Sequence, residues 1–332
     1  MKAELWEIFM ALVRAGLWEK ETDLPVAPGL ADWESLLEAS RAQAVGGLLF
    51  RGVSHLPDSK MPPAQIRLLL MADADSIERN SGRIASVQDG VLKEFARHSL
   101  PAVVVKGTEA AKYYAFPALR ESGDIDIYCP DFRRALELFP HAVPKPDGSA
   151  SFVRDGVEVE LHPRYFDLHL PDSRLPEVPS RAAELLMLSA HIFKHAAGAG
   201  IGLRQFCDMA AAMSHPYDHE QFREALSRAR MLRWNSLLCS YLVEDLGLDP
   251  VHCGSGFAPC NPSRLRKIVM DGGNFGFSGS LRSRSDNPGI RKAATALSLI
   301  RRIPFSVRYA PREACLGFVS LVGGNLTRTN RT

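Results

Sequence analysis

Apolar positions recur at helical spacing through the first hundred residues. The opening stretch MKAELWEIFMALVRAGLWEK is apolar in places, with Glu4, Glu7 and Arg14 interrupting it, which suits an amphipathic helix better than a secretory signal. Within DWESLLEASRAQAVGGLLFRGV, Trp33, Leu36, Leu37, Ala44, Val45, Leu48 and Leu49 repeat near the same period, and Asp32 is the expected N-cap. A long helix is expected from about Pro63 to Ser99, ended by Pro101. Helical patterning returns after Pro179, in SRAAELLMLSAHIFKHAAGAG, LRQFCDMAAAM, EQFREALSRARMLRWNSLLCSYLVEDLG and the segment around Ala293–Arg302. Prolines and glycines at 250–289 mark loops.

Between these helical regions the period changes. PAVVVKG is a short β-branched run stopped by a glycine, the pattern of a buried strand, and TEAAKYYA after it reads as the opening of a helix. GDIDIYCP alternates polar and apolar residues, DFRRALELF reads as a helix, and SFVRDGVEVELHP reads as two strands turning at Asp155–Gly156. Strand–helix–strand–helix–strand–strand implies a small α/β domain on a mixed sheet. The chain is therefore expected to be α+β, with helical regions at 1–100 and 176–332 flanking a core at 101–175.

The alternation also sorts the chemistry. On a strand Asp124 and Asp126 project from one face while Ile125 and Ile127 pack from the other. In VEVELH, Glu158, Glu160 and His162 share a face opposite Val157, Val159 and Leu161. Carboxylates aligned on one face repel unless a cation sits between them, which suits a hard ion such as magnesium and gives a candidate two-metal site. Upstream, Lys106-Gly107-Thr108 stands where a strand gives way to a helix. Gly107 permits close backbone approach, Thr108 offers a hydroxyl, and the helix N-terminus presents N–H groups, together a phosphate cradle. Lys106 or Arg120 is placed to neutralise phosphate oxygens.

Composition narrows the class. With 46% hydrophobic and 23% charged residues among 332, the chain has the make-up of an ordinary globular protein, and no stretch approaches the ~20 uninterrupted apolar residues of a membrane helix. Six scattered cysteines without a CxxC pair argue against a disulfide framework or structural zinc site, and fit a reducing cytoplasm. The formal charge of +2 hides an asymmetry, because residues 261–332 carry 13 Lys/Arg against 3 Asp/Glu. Such a region attracts phosphate-rich partners such as tRNA or an anionic membrane surface, or else solvates helix faces. The apolar Cys315–Val322 is too short to span a bilayer and leaves only a peripheral membrane contact open. His191 and His195 stand four apart without the glutamate of a zinc-protease helix, as do Arg204 and Asp208 on the next helix, and buried, mutually satisfied polar pairs are expected.

Together VVVKGTEAAKYY, GDIDIY and VELHPRY, with HIFKH, LRQFCDMA and the later DGGNFG at 271–276, resemble the polymerase-β-like nucleotidyltransferase superfamily. The nearest likeness is to the uncharacterised bacterial nucleotidyltransferase family proteins, over roughly residues 30–280. The resemblance implies a nucleotidyltransferase core. In it Asp124 and Asp126 are the D-x-D metal ligands, Glu160 is the third acid with Glu158 as the alternative, and Gly107 and Thr108 contact phosphate. Lys-Gly-Thr stands here where active transferases carry Gly-Ser. The implied reaction moves a nucleoside monophosphate from ATP or another NTP to an acceptor, with two magnesium ions and pyrophosphate leaving. Glu160 would help deprotonate the acceptor, and His162 would orient a carboxylate or meet the acceptor. That acceptor is a small hydroxylated molecule, a protein side chain or an RNA end, the basic C-terminal region favouring an anionic one such as tRNA. The alternative is a non-catalytic nucleotide-sensing or RNA-binding protein that retains the fold.

Overall fold

The structure is a computed structural model that describes residues 3–169, 175–198, 200–254, 256–272 and 302–316. It packs as two units. The first gathers residues up to Tyr165 with Phe206–His215 and Asp245–Gly247, and the second gathers Phe166–Gln205, Pro216–Glu244 and the described residues from Leu248 onward.

The first unit begins with four helices: α1 Ala3–Trp18, α2 Leu30–Gln43, α3 Gly46–Val53 and α4 Ala64–Arg97. The long helix has the expected bounds, with Pro63 just before its first turn. The expected run from Asp32 is instead two helices. Ala44 adopts φ 53°, a left-handed conformation that ends α2 and lets α3 restart at an angle. The N-cap is Gly29, and Asp32 sits three residues inside, its carboxylate accepting from the Gly29 N–H at 3.2 Å. An acid at that position still complements the positive end of the helix.

Helices α1 and α3 meet backbone to backbone. A Cβ on Gly52 would lie 1.9 Å from the Leu12 carbonyl oxygen, and one on Gly16 would lie 2.0 Å from that of Leu48. Only glycine fits at such a crossing. Gly52→Val is therefore expected to lower stability by about 1–3 kcal/mol in thermal denaturation. Gly82→Ala in α4, where a Cβ meets nothing within 4 Å, should be neutral or mildly stabilising.

The sheet follows, with β1 Val103–Val105, α5 Gly107–Ala111, β2 Asp124–Tyr128, α6 Phe132–Leu138, β3 Val143–Pro144, β4 Ala150–Arg154 and β5 Val157–His162. Its five strands run in the order β1-β2-β5-β4-β3, with β2 parallel to β5 and every other pair antiparallel. The hairpin turns where expected, with Asp155 and Gly156 both at positive φ (49° and 74°), as a tight two-residue turn requires. The apolar face is closed by Ile84, Val87, Val91 and Phe95 of α4, packed on Ile125, Ile127, Val159 and Leu161. Alternation then forces the acids onto the opposite face.

The second unit holds α7 Arg181–Ala197, the start of α8 Leu203–Met213, α9 His219–Arg228, most of α10 Leu232–Leu246, α11 Ser263–Gly272 and helical residues 302–309 and 311–316. The single helix expected from Glu220 to Gly247 is broken by Arg230, which adopts φ 58°. Its core centres on Trp234, whose indole N–H donates to the Ser189 carbonyl oxygen at 3.1 Å and whose ring meets Phe193 edge-on at 5.2 Å. The helix expected around Ala293–Arg302 lies outside the described residues except for its last position, as do most of 271–276 and of Cys315–Val322. Among the described residues no helix is long and apolar enough to cross a membrane.

Candidate active site

Strand register assembles the site. Parallel pairing sets Asp124 beside Glu158 and Asp126 beside Glu160. Neighbouring strands lie about 4.8 Å apart, so these carboxylates are forced within reach of each other. On the other side of β2, Val105 pairs with Asp126, so Lys106, the next residue, emerges next to that carboxylate. Its Nζ lies 3.0 Å from Asp126 Oδ1. His162 Nε2 lies 2.6 Å from the same oxygen. A carboxylate only accepts, so Nε2 carries the proton in this arrangement and His162 holds Asp126 in place.

Asp126 is 8% exposed. Burial by itself favours the neutral acid, but the Lys106 charge and the His162 hydrogen bond outweigh it and hold the Asp126 carboxyl well below its ordinary range. It is therefore ionised throughout neutral and mildly acidic solution.

Glu160 is fixed from its other side. Residues Lys145–Ser149 form a turn closed by Lys145 N–H to the Ser149 carbonyl oxygen at 2.7 Å. That turn presents Ser149 Oγ to Glu160 Oε1 at 2.7 Å and Lys145 Nζ to Glu160 Oε2 at 3.0 Å. Lys145 also reaches Glu158 Oε1 at 2.9 Å. Hydrogen bonds from Lys145 and Ser151 lower the Glu158 pKa, although this side chain is about half exposed.

Among the described residues, the group able to hold a metal ion is Asp126, Glu160 and His162, whose ligand atoms all lie within 4.8 Å of one another. Two carboxylates and an imidazole fit a divalent cation, and their oxygens suit magnesium or manganese. Asp124 stands outside this group. It is half-buried on the same strand face, and its charge acts on Arg120.

The expected phosphate contacts are likewise placed. Lys106 adopts φ 61° and ψ −125°, a conformation natural to glycine, immediately before Gly107. Gly107 opens α5 beside Arg120, with Nη1 3.5 Å from where its Cβ would be. The Thr108 hydroxyl donates to the Gln88 side chain of α4. Arg120 is buried and forks onto Asp208, Nε to Oδ1 at 3.0 Å and Nη2 to Oδ2 at 2.5 Å, while Nη1 donates to Ser122 Oγ at 2.7 Å. It thus pins the entry to β2 to α8. Asp208 therefore pairs with Arg120 and, at 2.7 Å, with the Tyr114 hydroxyl, two partners outside its own helix that the helical spacing did not suggest.

In the second unit His191 and Lys194 share Asp167, His191 Nδ1 to Oδ2 at 2.9 Å and Lys194 Nζ to Oδ1 at 2.8 Å. Buried polar pairing was expected here, but the acid came from outside the helix. The sequence reading missed Lys145 and Ser149, which lie in a turn with no periodicity to flag them. The D-G-S run at 147–149 was the available signal of a tight turn.

The family described as "Uncharacterised nucleotidyltransferase" matches residues 30–243. The chain belongs to that family. The match runs from α2 into α10, so it takes in the whole sheet and the acidic face of this nucleotidyltransferase. No curated protein and no solved structure matches the chain.

Proposed function

We propose that this nucleotidyltransferase moves a nucleoside monophosphate from an NTP to an acceptor hydroxyl at the acidic face of its sheet, in a magnesium-dependent reaction in a reducing cytoplasm. The observation that carries the reading is the convergence of Asp126, Glu160 and His162 within 4.8 Å on that face. Asp126 and Glu160 would hold the metal, with Asp124 as the further carboxylate of a two-ion site. The bound ions would supply charge neutralisation of the triphosphate and of the leaving pyrophosphate.

The protein's own groups do the rest. His162 keeps Asp126 oriented, and Ser149 and Lys145 keep Glu160 oriented, which matters because a misplacement of about 1 Å can cost on the order of 10²-fold in rate. Glu160 accepts the proton of the acceptor hydroxyl. The first N–H groups of α5, at Gly107 and Thr108, bind phosphate oxygens and Lys106 adds positive charge beside them, while Arg120, its nitrogens taken up by Asp208 and Ser122, backs Gly107. The basic balance of residues 261–332 supports an anionic acceptor such as tRNA, with small molecules and protein side chains as the other candidate classes.

A second reading rests on the Lys106–Asp126 ion pair. An ammonium already on the central carboxylate, at the place where transferases carry Gly-Ser, favours a protein that senses nucleotide without turnover. The two are separated by incubating the full chain with each α-³²P-labelled NTP and magnesium, offering RNA, protein extract and small metabolites, beside an Asp124→Ala/Asp126→Ala control. Label transferred by the wild type and lost in the control is expected. Retained NTP binding without transfer to any fraction would instead establish the sensor.

A further inference from the structure

The six cysteines look scattered in sequence, yet the second unit brings two of them together. Cys239 is fully buried on α10. After α10 the chain turns through Gly247, at φ 70°, and a short helical turn at Pro250–Cys253 folds back. That return brings Cys253 to the cavity that Asn235 also lines, beside Cys239, so that each thiol acts on the ionisation of the other. Asn235, one turn before Cys239, donates from Nδ2 to the Cys239 sulfur at 3.5 Å.

The two thiols differ in access. Cys253 is half-buried and lines a cavity of about 140 Å³ with Tyr217, His219, Arg223, Asn235 and Gly254, all within this unit. Cys239 does not line it. Gly254, at φ 81°, brings the turn so close to His219 that a Cβ there would lie 2.9 Å from its Nδ1. The cavity is therefore small, lined by polar and apolar residues alike (Phe222, Leu226 and Phe257 among the latter), and has Cys253 in its wall.

We infer that Cys253 is an oxidation site for small hydroperoxides, with Cys239 as its resolving thiol. The Cys253 thiolate attacks the peroxide. An S–O bond forms and the O–O bond breaks, the departing oxygen takes a proton to become water or an alcohol, and the sulfur becomes a sulfenic acid. Cys239 then attacks that sulfur. The S–S bond forms, the S–O bond breaks, and hydroxide leaves with the Cys239 proton as water. Overall two thiols and one hydroperoxide give one disulfide, one water and one water or alcohol.

The electrostatics agree with this division of labour. The neighbouring Cys239 thiol holds Cys253 below its ordinary pKa against burial, while Cys239 is itself pushed up, first by Cys253 and then by burial. Cys129, by contrast, is pushed up to about 12 by burial and is an inert core residue.

The test uses the full chain. Treat the reduced protein with hydrogen peroxide, block remaining thiols by alkylation, and map cross-linked peptides by mass spectrometry without reduction. A Cys239–Cys253 disulfide with loss of two of the six thiols is expected. In Cys239→Ala the disulfide disappears and dimedone labels Cys253, whereas Cys253→Ser loses both signals. Circular dichroism checks that each variant folds, and the wild-type mapping stands without them. A Cys253–Cys260 disulfide, or dimedone labelling elsewhere with Cys253 silent, would overturn the assignment.

Discussion

Asp208→Ala is expected to destabilise the first unit by about 3–5 kcal/mol, the usual cost of breaking a buried ion pair from one side. Both partners are nearly out of water, at 6% exposure for Arg120 and 3% for Asp208. Burial penalises the Arg120 charge, and the Asp208 carboxylate more than offsets that, raising the guanidinium pKa above its ordinary value. Removing the carboxylate therefore strands a charge that has no way to neutralise. It also strips the Tyr114 hydroxyl of its acceptor. The transition of this unit in urea or heat should fall accordingly, by roughly 6–20 °C if each kcal/mol is worth 2–4 °C in a unit of this size. The double replacement Arg120→Met/Asp208→Leu should recover much of the loss, because it removes the stranded charge as well as the pair. A loss below about 1 kcal/mol in Asp208→Ala would show that the fork does not anchor β2. Because Arg120 sits against Gly107, the same variant should also impair nucleotide binding.

That anchor could not be read from the sequence. Arg120 and Asp208 stand 88 positions apart, and helical spacing offered Arg204 as the nearer partner. What was legible was local. DIDIY and VEVELH alternate with period two, so their acids had to share a face once their valines and isoleucines were buried. Asp155–Gly156 marked its turn because both residues tolerate positive φ, and Pro63 and Pro101 bounded the long helix. Ala44 and Arg230 gave no such warning. They take left-handed conformations that tertiary packing imposes on residues without a preference for them, so two predicted helices became four. The third strand was missed because Val143–Pro144 is only two residues long, at a sheet edge where proline is tolerated. The choice between Glu158 and Glu160 was open in sequence, since both lie on one face. Register gives them different surroundings, with Glu160 beside the buried Asp126 and Glu158 beside Asp124 at the more exposed end.

That difference has a kinetic consequence. Asp126→Asn should reduce nucleotidyl transfer by about 10³-fold or more, within the range for loss of a preorganised charge or proton-handling group. The substitution is nearly isosteric and keeps an acceptor oxygen for His162 and Lys106, so it removes charge more than shape. Glu160→Gln should cost a comparable amount. Its single amide oxygen could still accept from Ser149 or Lys145, but it would carry no charge and could no longer take a proton. Glu158→Gln should cost less than about 10-fold, because that side chain is about half exposed and makes its ion pair only with Lys145, at the rim. Rates of label transfer from NTP would be measured for the three variants, alongside Mn²⁺ titration by calorimetry. Mn²⁺ binding should weaken in Asp126→Asn and Glu160→Gln and persist in Glu158→Gln. Equal losses in Glu158→Gln and Glu160→Gln would remove the role assigned to register. Full transfer by Asp126→Asn would move the chemistry away from this face altogether. Lys106→Ala is the complementary probe. If its ammonium merely blocks Asp126, Mn²⁺ should bind more tightly without it and transfer should rise. If it serves the triphosphate, Mn²⁺ binding should tighten while transfer falls.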